Sequence, residues 1–148
     1  MYVLGTMGDL LALSVKTGEV AWRKSFEQDY GTGVPAWGMT GAPIVVDDLL
    51  IAVVGGGDGA FVVGFSKTTG EEVWRALSSE HGQGYSAPLL IERGGVRQLI
   101  VWHPVAVSSL DPAAGRGCGS SLSKRVSAWR PRCSTESICS SPLSSTAR

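Results

Sequence analysis

Short runs of β-branched and aromatic residues alternate with turns rich in glycine and aspartate along residues 1–115. The pattern is most complete in the middle of the chain. There it predicts four short strands: Ala42 to Val46, Leu49 to Val54, Phe61 to Phe65 and Glu72 to Leu77. The connections between these runs are too short for a crossover, so successive strands must pair antiparallel. The pattern therefore predicts an all-β fold.

The pattern recurs at a fixed spacing. Gly70 and Gly115 are 45 residues apart, and so are Pro43 and Pro88 in "GAPIVV" and "SAPLLI". Four strands in each such unit, with a recurring glycine and tryptophan, favour radially arranged four-stranded antiparallel blades over an open sandwich. We expect a partial β-propeller of about two and a half blades: a partial blade over residues 1–26, a full blade over 36–77 and a partial blade over 85–115.

Each unit ends in a related motif. The three copies are "ALSVKTGEVAW", "GFSKTTGEEVW" and "SLDPAAG". They resemble the tryptophan-docking motif of pyrroloquinoline-quinone (PQQ)-like β-propellers, a family that includes quinoprotein alcohol dehydrogenases and the BamB-like outer-membrane assembly factors. The resemblance places the structural motif at Gly18, Trp22, Gly70, Trp74, Asp111 and Gly115. Serine replaces the motif's aspartate at Ser14 and Ser66, which weakens the local turn hydrogen bond without removing it.

The docking motif implies a structural role for its tryptophans. The turn glycine takes a backbone conformation that other residues avoid. Trp22 and Trp74 follow four residues later on the outer strand. A large flat ring at that place can pack against the next blade, and its indole N–H needs one acceptor. We expect both side chains to join blades rather than to bind a ligand.

The composition changes near residue 116. Residues 1–115 hold 7 Lys+Arg and 12 Asp+Glu, a net charge of −5, whereas residues 116–148 hold 6 and 1, a net charge of +5. All 3 cysteines and 10 of the 18 serines lie in the second segment. The first segment therefore has neither disulfides nor thiolate metal sites. We expect blades over residues 1–115 and a disordered tail over residues 116–148.

The third motif copy stops after its glycine, and Gly119 stands where the spacing predicts a tryptophan. A frameshift near Arg116 and Gly117 accounts for this. Codons compatible with Cys118 to Lys124, read one nucleotide early, permit Val-Trp-Glu-Gln-Pro-Phe-Lys. The alternative is a genuine basic, serine-rich tail. On either interpretation the cysteines of the tail do not indicate a metal site.

Candidate binding residues lie in loops that a propeller would gather on one face. Trp37, in the expanded first linker, either contacts a ligand or partner or packs over the inner strand. Asp58 and His103 are 45 residues apart, and on neighbouring blades they could bind a polar ligand. Alternatively, Asp58 shapes a glycine turn and His103 ends a strand. His81, in the polar loop "SSEHGQGY", is interpreted as solvated rather than catalytic.

Several function classes are disfavoured. The glycine-rich stretches do not open a helix after a strand, and no histidine spacing is typical of a transition-metal site. No aromatic and basic surface indicates nucleic-acid binding. No apolar run of about 18 residues indicates a membrane span, and no signal peptide is visible.

The resemblance implies two functions. A PQQ-dependent quinoprotein dehydrogenase would hold its cofactor on the propeller axis with Ca²⁺, an aspartate base and a disulfide between adjacent cysteines, and none of these can be matched to residues of this chain. A non-catalytic propeller in the bacterial cell envelope needs only blades and loops. We therefore favour a binding or scaffold module with no evident cofactor. Its expected partners are proteins bound at the face loops and the remaining blades of the parent chain.

The DNA that encodes residues 116–148 tests the frameshift. We expect the frame one nucleotide earlier to remain open and to restore a tryptophan codon in place of Gly119, because the blade spacing requires one there. Sequencing of the gene through this region is the measurement. A closed alternative frame, with no blade-like continuation, would contradict the hypothesis and leave the genuine tail.

Overall fold

The structure is a computed structural model that describes residues 1–80, 82–104 and 106–122, and these form three antiparallel sheets. In each sheet the strands lie in sequence order. The first sheet holds β1 (Tyr2–Leu4), β2 (Asp9–Leu13) and β3 (Val20–Ser25). The second holds β4 (Ile44–Val46), β5 (Leu49–Val53), β6 (Val62–Ser66) and β7 (Glu72–Ala76). The third holds β8 (Leu89–Arg93), β9 (Val96–His103), β10 (Ala106–Leu110) and β11 (Gly117–Leu122).

The all-β prediction is confirmed. The four strands predicted for the middle unit are β4 to β7, and their ends differ from the prediction by two residues at most. We call the three sheets blade 1, blade 2 and blade 3. Blade 1 has three strands, and the other two have four each.

Blade 3 extends past the predicted boundary at residue 115. Its outer strand β11 pairs with β10 from Leu122 opposite Ala106 to Gly117 opposite Leu110. A strand ladder needs only main-chain N–H and C=O groups, so a glycine- and serine-rich segment can occupy a free sheet edge. Blade 3 is therefore a four-stranded sheet rather than a partial one. The rest of the predicted tail, from residue 123, lies outside the described residues.

The blades share one strand register. The third and outer strands of every blade pair at the same point: Trp22 with Ala12, Trp74 with Gly64, and Gly119 with Ser109. The register then shifts by a β-bulge next to this pair in all three blades. Gly119 is thus the structural counterpart of the two tryptophans.

Trp22 joins blade 1 to blade 2. Its ring lies against Gly70, where an added Cβ would come within 2.7 Å of the ring atom Cδ2. The indole Nε1 donates to the carbonyl oxygen of Lys67 at 3.2 Å, and the hydroxyl of Tyr2 donates to the same oxygen at 2.8 Å. One main-chain carbonyl of blade 2 therefore holds two aromatic side chains of blade 1.

Trp74 joins blade 2 to blade 3 in the same direction. Its ring lies against Gly115, where an added Cβ would come within 2.4 Å of the ring atom Cε3. Unlike Trp22, this indole is buried with its Nε1 unpartnered. A buried donor without an acceptor costs stability. The second junction thus keeps the ring contact but lacks the hydrogen bond.

The turns that receive the rings have one backbone hydrogen-bond pattern. The glycine N–H donates to the carbonyl four residues earlier, over 2.8 to 2.9 Å: Gly18 to Ser14, Gly70 to Ser66 and Gly115 to Asp111. All three glycines have φ between 67° and 74°. The side chains of Ser14, Ser66 and Asp111 each accept a further N–H of the turn. Serine thus makes the turn hydrogen bond in place of aspartate.

Two apolar cores lie on opposite sides of blade 2. The core towards blade 1 consists of Leu10, Phe26, Met39, Leu50, Ala52, Val54, Ala60, Val63 and Phe65. The core towards blade 3 consists of Val46, Ile51, Val53, Phe61, Val62, Trp74, Leu99, Val101 and Leu110. Successive strand residues point to opposite faces of a sheet, so blade 2 supplies side chains to both cores.

A short helix that the sequence pattern did not predict follows blade 1. Helix α1 (Phe26–Tyr30) begins after Ser25, whose Oγ accepts the N–H of Gln28, and ends at Gly31 with φ 63°. Phe26 is fully buried in the core between blades 1 and 2. The helix therefore fixes the start of the long linker to blade 2.

A matched pair of glycine substitutions tests the ring contact. Gly70→Ala and Gly18→Ala introduce the same side chain at the same φ of 74°, but only Gly70 faces a tryptophan, whereas Gly18 has no other atom within 4 Å of an added Cβ. Both variants should lose about 1–2 kcal/mol of folding stability, because alanine is strained in the left-handed conformation. Gly70→Ala should lose a further ~1–3 kcal/mol because the added methyl displaces Trp22.

The measurement is the free energy of unfolding in urea, with tryptophan fluorescence as the probe of the transition. Equal losses for the two variants would contradict the structural role of the ring contact between blades 1 and 2.

Candidate functional site

The candidate site is one end of the blades, which we call the loop face. It is formed by the loops between second and third strands and by the linkers that lead into inner strands: residues 5–8, 31–43, 54–61, 78–80, 82–88 and 104. Backbone contacts connect these loops. The N–H of Met39 donates to the carbonyl of Thr6 at 2.8 Å, and that of Gly59 donates to the hydroxyl of Ser78 at 3.1 Å.

Trp37 is the most exposed aromatic side chain of the loop face, with 80% of its surface accessible. Its backbone is nevertheless fixed, because the next residue, Gly38, donates to the carbonyl of Pro35 and lies close to Thr6 of blade 1. The structure thus places Trp37 outward rather than over the inner strand.

Two more exposed apolar side chains lie on the loop face, in segments that contact the first linker. Met7 follows Thr6, which contacts the Trp37 loop, and Tyr85 lies in the next linker, whose Ser86 carbonyl comes within 3.4 Å of an added Cβ at Gly41. Exposed aromatic and methionine side chains on a fixed backbone are typical of protein-binding surfaces. Met7 and Tyr85 carry no sequence signal that distinguishes them from packed residues.

Tyr30 anchors the first linker to blade 2. Its hydroxyl donates to Glu72 Oε2 at 2.9 Å, and the guanidinium of Arg75 lies over its ring, 5.7 Å from the centroid. Burial raises the pKa of Tyr30, and the hydrogen bond to Glu72 adds to the effect. Hydrogen bonds from Arg75 lower the pKa of Glu72. This anchor is structural, since the side chains of Tyr30, Glu72 and Arg75 use one another as hydrogen-bond and charge partners.

Two buried polar side chains of the linkers have unpartnered atoms. Gln83 lies directly on Gly55, where an added Cβ would come within 2.6 Å of the Gln83 Cβ, and its amide Nε2 has no partner. The hydroxyl of Thr32 is also buried without a partner. Neither residue type is titratable, so sequence reasoning had no chemical ground for selecting them. The glycine run "GGGDG" beside the linker is the one signal that could have pointed to a close backbone approach.

His103 is a buried residue at the end of β9. Its ring packs edge-on against Phe61 at 5.4 Å, and its Nε2 lies 3.2 Å from the hydroxyl of Ser108. The other nitrogen, Nδ1, is buried without a partner, and burial lowers the pKa of His103. The neutral imidazole thus forms part of the junction between blades 2 and 3.

Asp58 lies apart from His103. It is exposed, with φ 52°, in the turn between β5 and β6, and no hydrogen bond or ion pair of the described residues joins it to His103. The two are not equivalent in the blades either. His103 lies opposite Ala106, as Val54 lies opposite Phe61, so His103 corresponds to Val54.

The spacing of 45 residues misled here because two length differences cancel. From Pro88 to His103 the chain is four residues longer than from Pro43 to Val54, and from His103 to Ala106 it is four residues shorter than from Val54 to Phe61. The equivalence of Asp58 and His103 inferred from the spacing is therefore wrong. The alternative interpretation agrees with the structure, which places Asp58 in a glycine turn and His103 at the end of β9. His81 lies outside the described residues, so its interpretation as a solvated side chain stays a prediction.

The described residues do not assemble the cofactor site that the family resemblance implies. Within residues 1–80, 82–104 and 106–122, no three His, Cys, Asp or Glu side chains cluster as metal ligands. The one cysteine whose side chain is described, Cys118, lies on β11, away from the loop face. In the same segments, no helix has the length and apolar character needed to cross a bilayer.

Repeated four-stranded blades, joined by a tryptophan on a glycine turn, define a β-propeller of the PQQ-like class. The family described as outer membrane protein assembly factor BamB matches residues 1–123. The chain belongs to this family of PQQ-like repeat proteins, as the docking motif predicted. No curated protein is detectably similar to the chain.

Two solved structures show the same fold. The quinohemoprotein alcohol dehydrogenase from Comamonas testosteroni is 17% identical over 82% of this chain, with a TM-score of 0.57. A europium-containing methanol dehydrogenase is 14% identical over 82% of this chain, with a TM-score of 0.58. The match covers 19% and 22% of those chains, so this chain spans about a fifth of their length.

The burial of His103 predicts a pH dependence of stability. Its pKa is lowered in the folded state, so as the pH falls below about 6.5 the unfolded chain takes up a proton that the folded chain resists. Stability is then fully present above pH 6.5 and declines as the pH falls towards the folded-state pKa. In His103→Phe, which keeps the ring contact with Phe61, this part of the decline should be absent.

The measurement is the free energy of unfolding from about pH 8 to pH 5 for both proteins. All other titratable groups are the same in the two proteins, so only the difference between the two curves counts. Parallel curves would contradict the assignment of a buried, neutral His103.

Proposed function

We propose that this chain is part of a non-catalytic PQQ-like propeller that binds proteins through its loop face in the bacterial cell envelope. The observation that carries the proposal is the group of exposed side chains Met7, Trp37 and Tyr85 on backbone that is fixed by contacts between loops. Exposed tryptophan and tyrosine on a rigid scaffold supply binding energy with little loss of conformational freedom.

The family supports this proposal in a second way. Its description names an outer-membrane protein assembly factor, which works on other proteins rather than on a small substrate. A location in the cell envelope is proposed for this chain on the same ground.

The alternative is a segment of a PQQ-dependent dehydrogenase. The two solved structures described above, an alcohol and a methanol dehydrogenase, support it. Three unpartnered polar groups near the loop face, on Thr32, Gln83 and His103, could hydrogen-bond to a polar ligand. Their side chains are buried, so an external ligand reaches them only after the linkers move.

A photo-crosslinking amino acid at position 37 tests the protein-binding proposal. Val73 supplies the control position, since it is also exposed, at 56%, but lies on the outer strand of blade 2, outside the loop face. In bacterial cells that express the chain, we expect crosslinks to envelope proteins from position 37 and few from position 73. Trp37→Ala should weaken capture of the same proteins at least about tenfold while changing stability by less than ~0.5 kcal/mol.

Equal crosslinking from positions 37 and 73 would contradict the proposal. Titration of the chain with PQQ, with and without Ca²⁺, separates the alternative, and absorbance of the quinone is the readout. Stoichiometric uptake, with alcohol oxidation, would favour the dehydrogenase. No uptake together with specific crosslinks from position 37 would support the binding module.

A further inference from the structure

The charges of the loop face are all of one sign. The segments that form it hold no lysine or arginine, and their charged side chains are those of Asp58 and Glu80, both exposed. Helix α1, which leads into the first linker, adds Glu27 and Asp29 and has no basic residue. The exposed apolar side chains of the loop face therefore stand in a negatively charged surround.

The carboxylates of the loop face are available to a cation from outside. Arg75, on the outer strand β7, makes two hydrogen bonds to Glu72, at 2.6 and 2.9 Å. These hydrogen bonds raise the pKa of Arg75, and the charge of Asp58 makes a smaller contribution. Within the described part of the chain, neither Asp58 nor Glu80 forms an ion pair with a basic side chain.

The exposed aromatic rings of the loop face also lack a cation. The guanidinium of Arg75 lies over Tyr30, but none from the described residues lies over Trp37 or Tyr85. These two rings are 80% and 49% exposed. The face of a tryptophan or tyrosine ring attracts the side chain of lysine or arginine. The rings thus offer a partner both apolar surface and a second means of holding a cation.

The loop that carries Asp58 contacts both linkers. An added Cβ at Gly56 would come within 3.1 Å of the Cβ of Tyr30, directly before the first linker. The N–H of Gly59 donates to the hydroxyl of Ser78, at the start of the second linker. The carboxylates and the exposed apolar side chains therefore belong to one continuous surface.

We infer that the loop face binds a protein segment that presents lysine or arginine next to apolar side chains. Its cation would pair with Asp58 or Glu80. Its apolar side chains would pack on Met7, Trp37 and Tyr85. Charges of one sign at a binding surface steer partners of the opposite sign and repel others, so an acidic protein or an anionic lipid surface is a poor occupant. The inference rests on the proposed function, because it gives the chemistry of the protein partner proposed there.

Short labelled peptides test this chemistry on the full chain. The peptides share the same leucines and differ only in carrying lysine, glutamine or glutamate between them, and fluorescence anisotropy gives their affinities. We expect the lysine peptide to bind at least about threefold more tightly than the glutamine peptide, since each exposed ion pair contributes modestly. The glutamate peptide should bind most weakly.

Two double variants of equal net charge locate the effect. Asp58→Asn with Glu80→Gln removes both carboxylates of the loop face, and asparagine tolerates the left-handed backbone of residue 58 at φ 52°. Asp48→Asn with Glu92→Gln removes two exposed carboxylates at the opposite end of the blades and is the matched control. The preference for lysine should fall to nearly one in the first double variant and persist in the second.

A preference for lysine that is the same in both double variants would overturn the inference. So would equal affinity for the lysine and glutamine peptides, which would indicate a purely apolar partner. Tighter binding of the glutamate peptide, or binding of none of the three, would overturn it as well.

Crosslinking from position 37 in cells separates this inference from the proposed function. We expect the first double variant to lower the yield of crosslinks to envelope proteins at least about threefold, and the control to leave it unchanged. Crosslinks of equal yield in both double variants would overturn the inference alone, because the loop face would then bind proteins without the aid of its charges. Absence of specific crosslinks from position 37 would overturn the proposed function, and the inference with it.

Discussion

The stacking of an indole ring on a glycine turn is the contact on which the order of the blades depends. A side chain at Gly70 or Gly115 would occupy the space of the ring, so glycine is required there for its small size as well as for its positive φ. The ring in turn covers the edge of an apolar core that neither blade could bury alone. The packing of the blades in turn sets the positions of the loops that connect their strands.

Polar contacts reinforce the two junctions differently. Between blades 1 and 2, one carbonyl of Lys67 accepts from both Tyr2 and Trp22. Between blades 2 and 3, Arg97 makes a bidentate ion pair with Asp47. The hydrogen bonds from Arg97 lower the pKa of this exposed carboxyl. An exposed ion pair is screened by salt and is worth less than a buried hydrogen bond. The second junction, with Trp74 unpartnered, therefore depends more on its apolar core.

Much of the fold could be predicted because the repeat makes each strand visible more than once. The runs around Pro43 and Pro88 and the turns at Gly70 and Gly115 established the blades. Helix α1 escaped prediction because five residues are too few to show a helical period. Strand β11 was not predicted because it pairs through main-chain groups, and such pairing does not require a recognisable pattern of side chains. Of the candidate site, the expanded linker singled out Trp37, whose role in binding stays a prediction. Its outward direction depends on the contact between Gly38 and Thr6, which no spacing reveals.

The docking contact also has a direction, from the outer strand of one unit to the turn of the next. A complete unit such as blade 2 therefore carries both parts of the contact, a tryptophan for the next unit and a glycine turn for the tryptophan of the preceding one. Duplication or loss of a whole unit would leave every remaining joint chemically intact, so the gene can change its number of units without new interface mutations. Such a protein can therefore evolve by gaining or losing whole repeats. An insertion within a strand would instead disturb the contacts with both neighbouring blades.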